Sequence, residues 1–210
     1  MPKKNILQDI SDEERKKIIV NACLAQFLAN GLYKTTTREL SKSINLKSGG
    51  IYYYFKKKSD VVVACAEEAS LRLENNLIIP ALRDINNPQI LVNNLFKRCD
   101  ELAPTMKFLA QVCSVSEYRE AMEPSLYRLS RRYKLYAEMF ANSLKCPIEE
   151  VEAYVYMSIT AMTSYMIFGE QLHINPQMEL VKIALANFQK KFALKSKKAK
   201  EIRQDDSKSD

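Results

Sequence analysis

The sequence predicts an all-α protein of about nine helices, with a small amino-terminal helical domain and a larger carboxyl-terminal one. Gly and Pro are few, at 4 and 7 of 210 residues, and no stretch sustains the apolar–polar alternation of a strand. Hydrophobic residues make up 47% of the chain, which is ordinary for a globular protein, and the length supports a sizeable core.

The first predicted helix runs from about residue 12 to residue 30. It begins at the segment SDEE, 11–14, which places acidic side chains in the first turn, where they complement the helix dipole. Ile19, Cys23 and Phe27 recur every four residues and form one apolar stripe. We therefore expect this side of the helix to be buried.

Two short helices, near 37–44 and 48–55, are predicted to follow and to be joined by a tight turn. Thr36 and Glu39 fit a capping box, in which each side chain accepts a hydrogen bond from the other residue's backbone N–H. Asn45 suits a left-handed stop, because its short polar side chain tolerates that conformation. This pattern is typical of a helix-turn-helix DNA reader.

The second short helix must pack on its neighbours, because its apolar stripe, Ile51 and Phe55, spans only one turn. The three consecutive tyrosines at 52–54 cover roughly 300° of a helix, so at least one hydroxyl should be exposed. Tyrosine is a common phosphate partner. The lysines at 56–58 form either a solvated face or a further source of phosphate contacts.

Gly49 and Gly50 are unusual at a helix start, since glycine costs about 1 kcal/mol there relative to alanine. One interpretation is a close approach of the backbone to a phosphate or a base edge, and the other is a loose loop. We favour the first interpretation.

Positive charge is concentrated at the amino-terminal end of the chain. Residues 1–62 hold 12 Lys and Arg against 6 Asp and Glu, whereas residues 63–210 hold 20 against 19. The net charge of +7 therefore lies almost wholly on the predicted reader, as expected for a nucleic-acid partner.

Prolines and turn residues divide the rest of the chain. The fourth helix begins near residue 59 and should end before Pro80, because proline disrupts a helix interior. The charged, apolar-poor tail beyond residue 195 predicts disorder. Further helices are predicted to open at prolines, over 88–102, 104–116, 124–144, 147–169 and 176–194. We expect three regions: a helix-turn-helix domain over 1–58, a helical domain over 59–195 and a tail over 196–210.

The segment from about residue 12 to residue 62 resembles the DNA-binding domain of the TetR family of transcriptional regulators. The resemblance rests on the loop NGLYK at 30–34, the helix start Thr36-Thr37, and the closing element IYYYF at 51–55 with Lys58 after it. It implies a double-stranded DNA operator as partner, with two sets of contacts. Thr37, Tyr52, Tyr54 and Lys58 resemble the phosphate-contacting set, Arg38, Lys47, Ser48 and Gly50 resemble the base-facing set, and Thr36 and Tyr53 complete the predicted DNA-binding residues.

The last two long helices carry apolar residues on more than one face, which favours neighbours on every side. Those neighbours lie either within one domain or on a second copy. In the TetR family these helices pair across a two-fold axis, so the resemblance implies a homodimer.

The middle helices should hold a pocket for a small-molecule effector. Aromatic and Met side chains are the candidates, although each is more often plain core. Arg128, Arg131 and Arg132 favour an anionic ligand or form a solvated basic face. The candidates are Phe96, Met106, Phe108, Met122, Tyr127, Tyr136, Phe140, Tyr154, Met157, Met162 and Tyr165.

No cofactor or metal is predicted. The five cysteines are scattered, without a CxxC pair, and the chain has one histidine, which argues against a zinc site. Widely spaced thiols fit a reducing cytosol. The charged amino terminus does not resemble a signal peptide, and no apolar run approaches the roughly 18 residues of a membrane span. We expect a cytoplasmic protein that does not bind membranes.

These observations favour a ligand-responsive transcriptional regulator, a repressor that binds a palindromic operator as a dimer and is released by a small-molecule effector. The alternative is a non-specific or architectural DNA-binding protein, which would not retain affinity for one site in competitor DNA. An enzyme is disfavoured, because the sequence shows no nucleophile elbow, phosphate-binding glycine loop or telling acid pair.

Overall fold

The computed structural model describes residues 11–47, 49–169 and 171–206, and it describes their side chains except at 126–130, 171–173 and 192–206. Every regular element in these residues is helical, so the predicted all-α class is confirmed. The elements are α1 (Asp12–Asn30), α2 (Thr37–Ser43), a 3₁₀ turn (Gly50–Tyr53), α3 (Lys58–Leu73), a π-helical segment (Glu74–Ile78), α4 (Ile79–Asp84), α5 (Pro88–Cys113), α6 (Ser116–Leu144), α7 (Ile148–Phe168) and α8 (Gln171–Asp206).

The chain forms two compact units. The first unit comprises the residues through Glu74 together with Leu102–Tyr127, and the second comprises Asn75–Glu101 together with the residues from Arg128 onward. Helices α5 and α6 therefore contribute residues to both units. This division follows contacts, whereas the sequence boundaries at 58/59 and 195/196 describe functional domains, and those boundaries stay predictions.

The capping box predicted at Thr36 and Glu39 is confirmed, and a second one, which was not predicted, opens α1. Ser11 Oγ accepts a hydrogen bond from the Glu14 N–H at 3.2 Å, and Glu14 Oε2 accepts one from the Ser11 N–H at 3.1 Å. At α2 the Glu39 N–H donates to Thr36 Oγ1 at 3.3 Å, and the Thr36 N–H donates to Glu39 Oε2 at 2.7 Å. Asn45 has a φ of 55°, which confirms the predicted left-handed stop after α2.

The core of the first unit lies between α1 and α3. The predicted stripe of Ile19, Cys23 and Phe27 is fully buried in it. The ring of Phe27 stacks on the ring of Phe108, with centroids 5.4 Å apart. Because Phe108 belongs to α5, the support for the amino-terminal helices comes partly from residues more than 80 positions away in the chain.

The predicted helix at 48–55 is replaced by a single 3₁₀ turn, Gly50–Tyr53. The physical reason is local: two glycines weaken an α-helix start, and four residues are too few for a stable α-helix. Ile51 and Phe55 are nevertheless buried, as the predicted one-turn stripe requires.

Helix α3 ends before Pro80, as predicted, and Pro80 lies in the first turn of α4, where its missing N–H is tolerated. The predicted helix boundaries at three other prolines are wrong. Pro104, Pro124 and Pro176 lie inside α5, α6 and α8. In α5, Leu102 and Phe108 are buried on either side of Pro104, so tertiary packing outweighs the local cost of the proline.

Helix α8 extends beyond the predicted helix end at residue 194 and continues to Asp206. Its Lys, Ala, Glu, Arg and Gln residues are strong helix formers, so a helix can extend through them although they offer no apolar face. Residues 207–210 lie outside the described part of the chain.

In the second unit, α7 packs against α8. Tyr165 of α7 donates a hydrogen bond to Asp100 at 2.6 Å, and its ring meets the ring of Phe96 edge-on, with centroids 5.6 Å apart. These contacts fix α7 against the first half of α5. Within the described residues, no helix combines the length and hydrophobicity needed to cross a bilayer.

We predict that Phe27→Ala lowers the free energy of unfolding by about 3–5 kcal/mol, because it removes a fully buried ring and leaves a cavity beside Phe108. Chemical denaturation followed by circular dichroism measures the loss. The matched control is Tyr33→Ala, whose ring is 71% exposed and whose removal should cost less than about 0.5 kcal/mol. Equal losses in the two variants would contradict the assignment of Phe27 to the core.

Candidate DNA-binding surface

The start of α2 and the 3₁₀ turn meet at a pair of hydroxyl groups. Tyr52 OH lies 3.5 Å from Thr37 Oγ1 and is oriented to donate to it. The two residues are 15 positions apart in sequence, and α2 packs against the turn. The structure thus brings together two of the side chains that resemble phosphate contacts.

The three tyrosines have three different environments. Tyr53 is 81% exposed, Tyr52 is 49% exposed, and Tyr54 is half-buried against the core of the first unit. The rings of Tyr53 and Tyr54 meet edge-on, with centroids 4.9 Å apart. The prediction that at least one tyrosine hydroxyl is exposed is confirmed.

The lysines at 56–58 also differ from one another. Lys56 is exposed, whereas Lys57 Nζ lies 3.7 Å from a carboxylate oxygen of Glu117. Lys58 opens α3 and lies near Glu39 of α2. The pKa of Glu39 is lowered first by the hydrogen bonds from Thr36 and then, more weakly, by the charge of Lys58. Lys58 therefore lies near enough to the start of α2 for its charge to act on Glu39.

The predicted base-facing residues include two long, exposed cations, Arg38 in the first turn of α2 and Lys47 just before the glycines. Thr36, the N-cap of α2, is exposed beside them. Gly50 is half-buried, and Ser48 lies outside the described residues.

The two glycines have structural roles that the sequence did not reveal. Gly49 has a φ of 84°, in the left-handed region that favours glycine. A Cβ on Gly50 would lie 3.0 Å from Leu46 Cβ, so a larger residue there would require Leu46 to shift by a few tenths of an ångström. A close approach to DNA at Gly50 stays a prediction.

A second candidate site is a cavity of about 620 Å³, including its open mouth, within the second unit. Three of the predicted effector residues line it: Phe140, Tyr154 and Met162. Phe108 and Met122 instead belong to the core of the first unit. The other candidates whose side chains are described do not line it: Phe96, Tyr165 and Tyr136 pack elsewhere in the second unit, and Met106 and Met157 are half-buried. The side chain of Tyr127 lies outside the described residues.

The cysteines are free thiols within the described part of the chain, and burial raises the pKa of each. The pKa of Cys23 and that of Cys99 rise to about 12. A raised pKa keeps a thiol protonated and unreactive. Among the residues described, no group of three or more His, Cys, Asp or Glu side chains is arranged to hold a metal ion.

The amino-terminal region matches the model of a known protein family. Residues 19–65 match the family model of the bacterial regulatory proteins, tetR family. This segment contains most of α1, all of α2, the 3₁₀ turn and the first half of α3. A search of curated proteins gave no match.

Solved structures share the fold of the chain. A tetR-family transcriptional regulator from Streptomyces coelicolor is 16% identical, with a TM-score of 0.54 over 85% of this chain and 80% of that one. A TerR/AcrR-family transcriptional regulator from Aquifex aeolicus VF5 is 16% identical, with a TM-score of 0.48 over 85% of this chain and 98% of that one. The similarity to the Streptomyces structure shows that the two chains share a fold.

The match over residues 19–65 coincides with the segment that forms the exposed cationic and tyrosine-bearing surface. This segment is therefore similar to the DNA-binding region of the tetR family, and the chain shares the fold of a tetR-family transcriptional regulator.

Proposed function

We propose that this regulator is a repressor that binds a palindromic DNA operator as a homodimer in the cytoplasm and releases it when a small molecule occupies the second unit. The observation that carries the DNA-binding part is the surface formed by the start of α2, the 3₁₀ turn and the start of α3. It joins exposed cations to tyrosine and threonine hydroxyls in the segment that matches the family model.

Thr37, Tyr52 and Lys58 suit the phosphate backbone. Two hydroxyls within 3.5 Å of each other can donate to neighbouring phosphate oxygens, and Lys58 adds a positive charge near Glu39 of the same helix α2. Contacts of this kind position a protein on DNA without reading sequence. Arg38 and Lys47, which are exposed and long, are the side chains suited to reach base edges.

The dimer rests on apolar side chains that α7 and α8 leave exposed. Leu180 and Ile183, one turn apart on α8, are 55% and 56% exposed, and Phe168 at the end of α7 is 76% exposed. A second copy would cover these side chains and remove apolar surface from water. Two readers held together would also match two half-sites of a palindrome.

Release by an effector follows from linkage: if effector and DNA favour different conformations, each lowers the affinity of the other equally. Helices α5 and α6 each contain residues of both units, so a shift of either helix on ligand binding would involve residues of the first unit as well.

Selection of genomic fragments by the purified protein tests the proposal as a whole. A repressor enriches one palindromic sequence and keeps it in the presence of excess competitor DNA. Equal retention of all fragments would instead support an architectural protein.

We predict that Lys58→Ala and Tyr52→Phe weaken binding to cognate and random DNA by similar factors, because both lose phosphate contacts. Lys58→Ala should also reduce the slope of log affinity against log salt by about one. Fluorescence anisotropy at several salt concentrations measures both effects. Lys134→Ala, an exposed lysine on α6, is the matched control and should leave the slope unchanged. A loss confined to cognate DNA would refute the phosphate assignment.

We predict that Arg38 reads guanine through its bidentate fork. Arg38→Ala should then cost about 1–3 kcal/mol on the cognate operator and relax preference at one symmetric pair of positions. A library of single-substitution operators measures the preference profile, with Arg119→Ala, an exposed arginine on α6, as control. An evenly weakened profile would show that Arg38 contacts phosphate instead.

We predict that the protein in solution has twice the 24.2 kDa mass of one chain. Light scattering at micromolar concentration measures the mass. Ile183→Glu should produce the single-chain mass, because a carboxylate in an apolar interface is costly to bury. Ile90→Glu, at a position 48% exposed on α5, is the matched control and should remain dimeric. A single-chain mass for the unaltered protein would refute the dimer.

A further inference from the structure

The cavity of the second unit lies among α4, α5, α6, α7 and α8, within this unit alone. Its wall includes aliphatic side chains that are almost fully buried, among them Leu95, Val151 and Leu185.

Among the residues whose side chains are described, no charged side chain lines the cavity, and the surface that they offer is apolar throughout. Its two polar residues, Ser158 and Tyr154, are neighbours on α7. The Ser158 hydroxyl donates a hydrogen bond to the Tyr154 backbone carbonyl at 2.7 Å, so its proton already has an acceptor within α7. The ring of Tyr154 meets the ring of Phe188 edge-on, with centroids 5.7 Å apart, and adds an aromatic wall.

Two ion pairs on the surrounding helices lie outside the lining. Asp84 accepts hydrogen bonds from Asn94 and Arg98, each at 2.9 Å. Lys191 lies 2.6 Å from Glu150. None of these residues lines the cavity, so the described wall offers no counter-charge to an ionic ligand.

From this lining we infer that the cavity binds an uncharged, largely apolar small molecule. The inference rests on the proposed function only in naming that molecule as the effector. Burial of apolar surface favours such a ligand, whereas an ion would lose its hydration without gaining a partner. The sequence left two interpretations of Arg131 and Arg132, contacts to an anionic ligand or a solvated basic face. Neither residue lines the cavity, which favours the second interpretation.

Direct binding tests the inference without DNA. Nile red, a neutral dye that brightens in apolar surroundings, is titrated into the full-length protein. It is then displaced by three molecules of equal chain length: 1-decanol, decanoate and decylammonium, at pH 8. We expect decanol to displace the dye at a concentration about tenfold or more below that required for either ion.

A pair of matched variants assigns the binding to this cavity. Ala184→Leu places extra volume in the lining and should weaken Nile red binding about tenfold or more, because the added side chain occupies ligand space. Ala186→Leu makes the same change on the same helix, at a half-buried position outside the lining, and should bind as the unaltered protein does. If Ala184→Leu loses its helical circular dichroism, Ser158→Leu replaces it, at a half-buried lining position.

The outcomes separate the cavity from the regulatory proposal. Decanol binding that is lost in the lining variant supports the inference, whether or not operator DNA is released. Such binding without DNA release would overturn the effector response alone. Failure of Nile red and decanol to bind, preference for decanoate or decylammonium, or unchanged binding in the folded lining variant would overturn the inference, even if the protein binds its operator.

Discussion

The buried contact between α1, α3 and the second half of α5 is the constraint on which the DNA-binding surface depends. Helix α2 has seven residues and the 3₁₀ turn has four, so neither is stable alone in water. Each is held by a side chain inserted into the core of the first unit, Leu40 from α2 and Ile51 from the turn, both fully buried. Phe108 of α5 completes that core through its stack on Phe27. The order of the surface is thus a consequence of packing beneath it.

The same packing decides which groups face outward. With Ile51 and Phe55 directed into the core, the intervening turn must expose Tyr52 and Tyr53. Tyr52 then meets Thr37, whose position is fixed by the reciprocal hydrogen bonds of the capping box before it. A capping box, which satisfies backbone donors at a helix start, here also places the Thr37 hydroxyl and the exposed cation of Arg38.

What the sequence could predict depends on how local the physical signal is. The start of α1 near residue 12, the cap at Thr36, the stop at Asn45 and the stripe on α1 are set by side chains within a few residues, and the structure confirms them. The helix starts predicted at Pro104 and Pro124 are wrong, because packing against residues distant in sequence stabilises α5 and α6 on both sides of these prolines. Other features depend on the folded arrangement, which periodicity does not encode. They are the contact of Leu46 with Gly50, the stacking of Phe27 on Phe108, and the lining of the cavity by Phe140, Tyr154 and Met162.

Charge and apolar surface are segregated along this chain. The positive excess lies in the first 62 residues, and the rest is nearly balanced. A neutral ligand in the proposed cavity would leave the charge of the first unit unchanged, so it could not weaken DNA binding by electrostatic competition. Its effect on operator affinity would have to be conformational, with a coupling free energy set by its preference for one arrangement of the helices over another. Each protein–DNA complex would then keep the same number of phosphate contacts with and without ligand, and only the fraction of protein bound to DNA would fall. The slope of log affinity against log salt should therefore be nearly the same in both conditions.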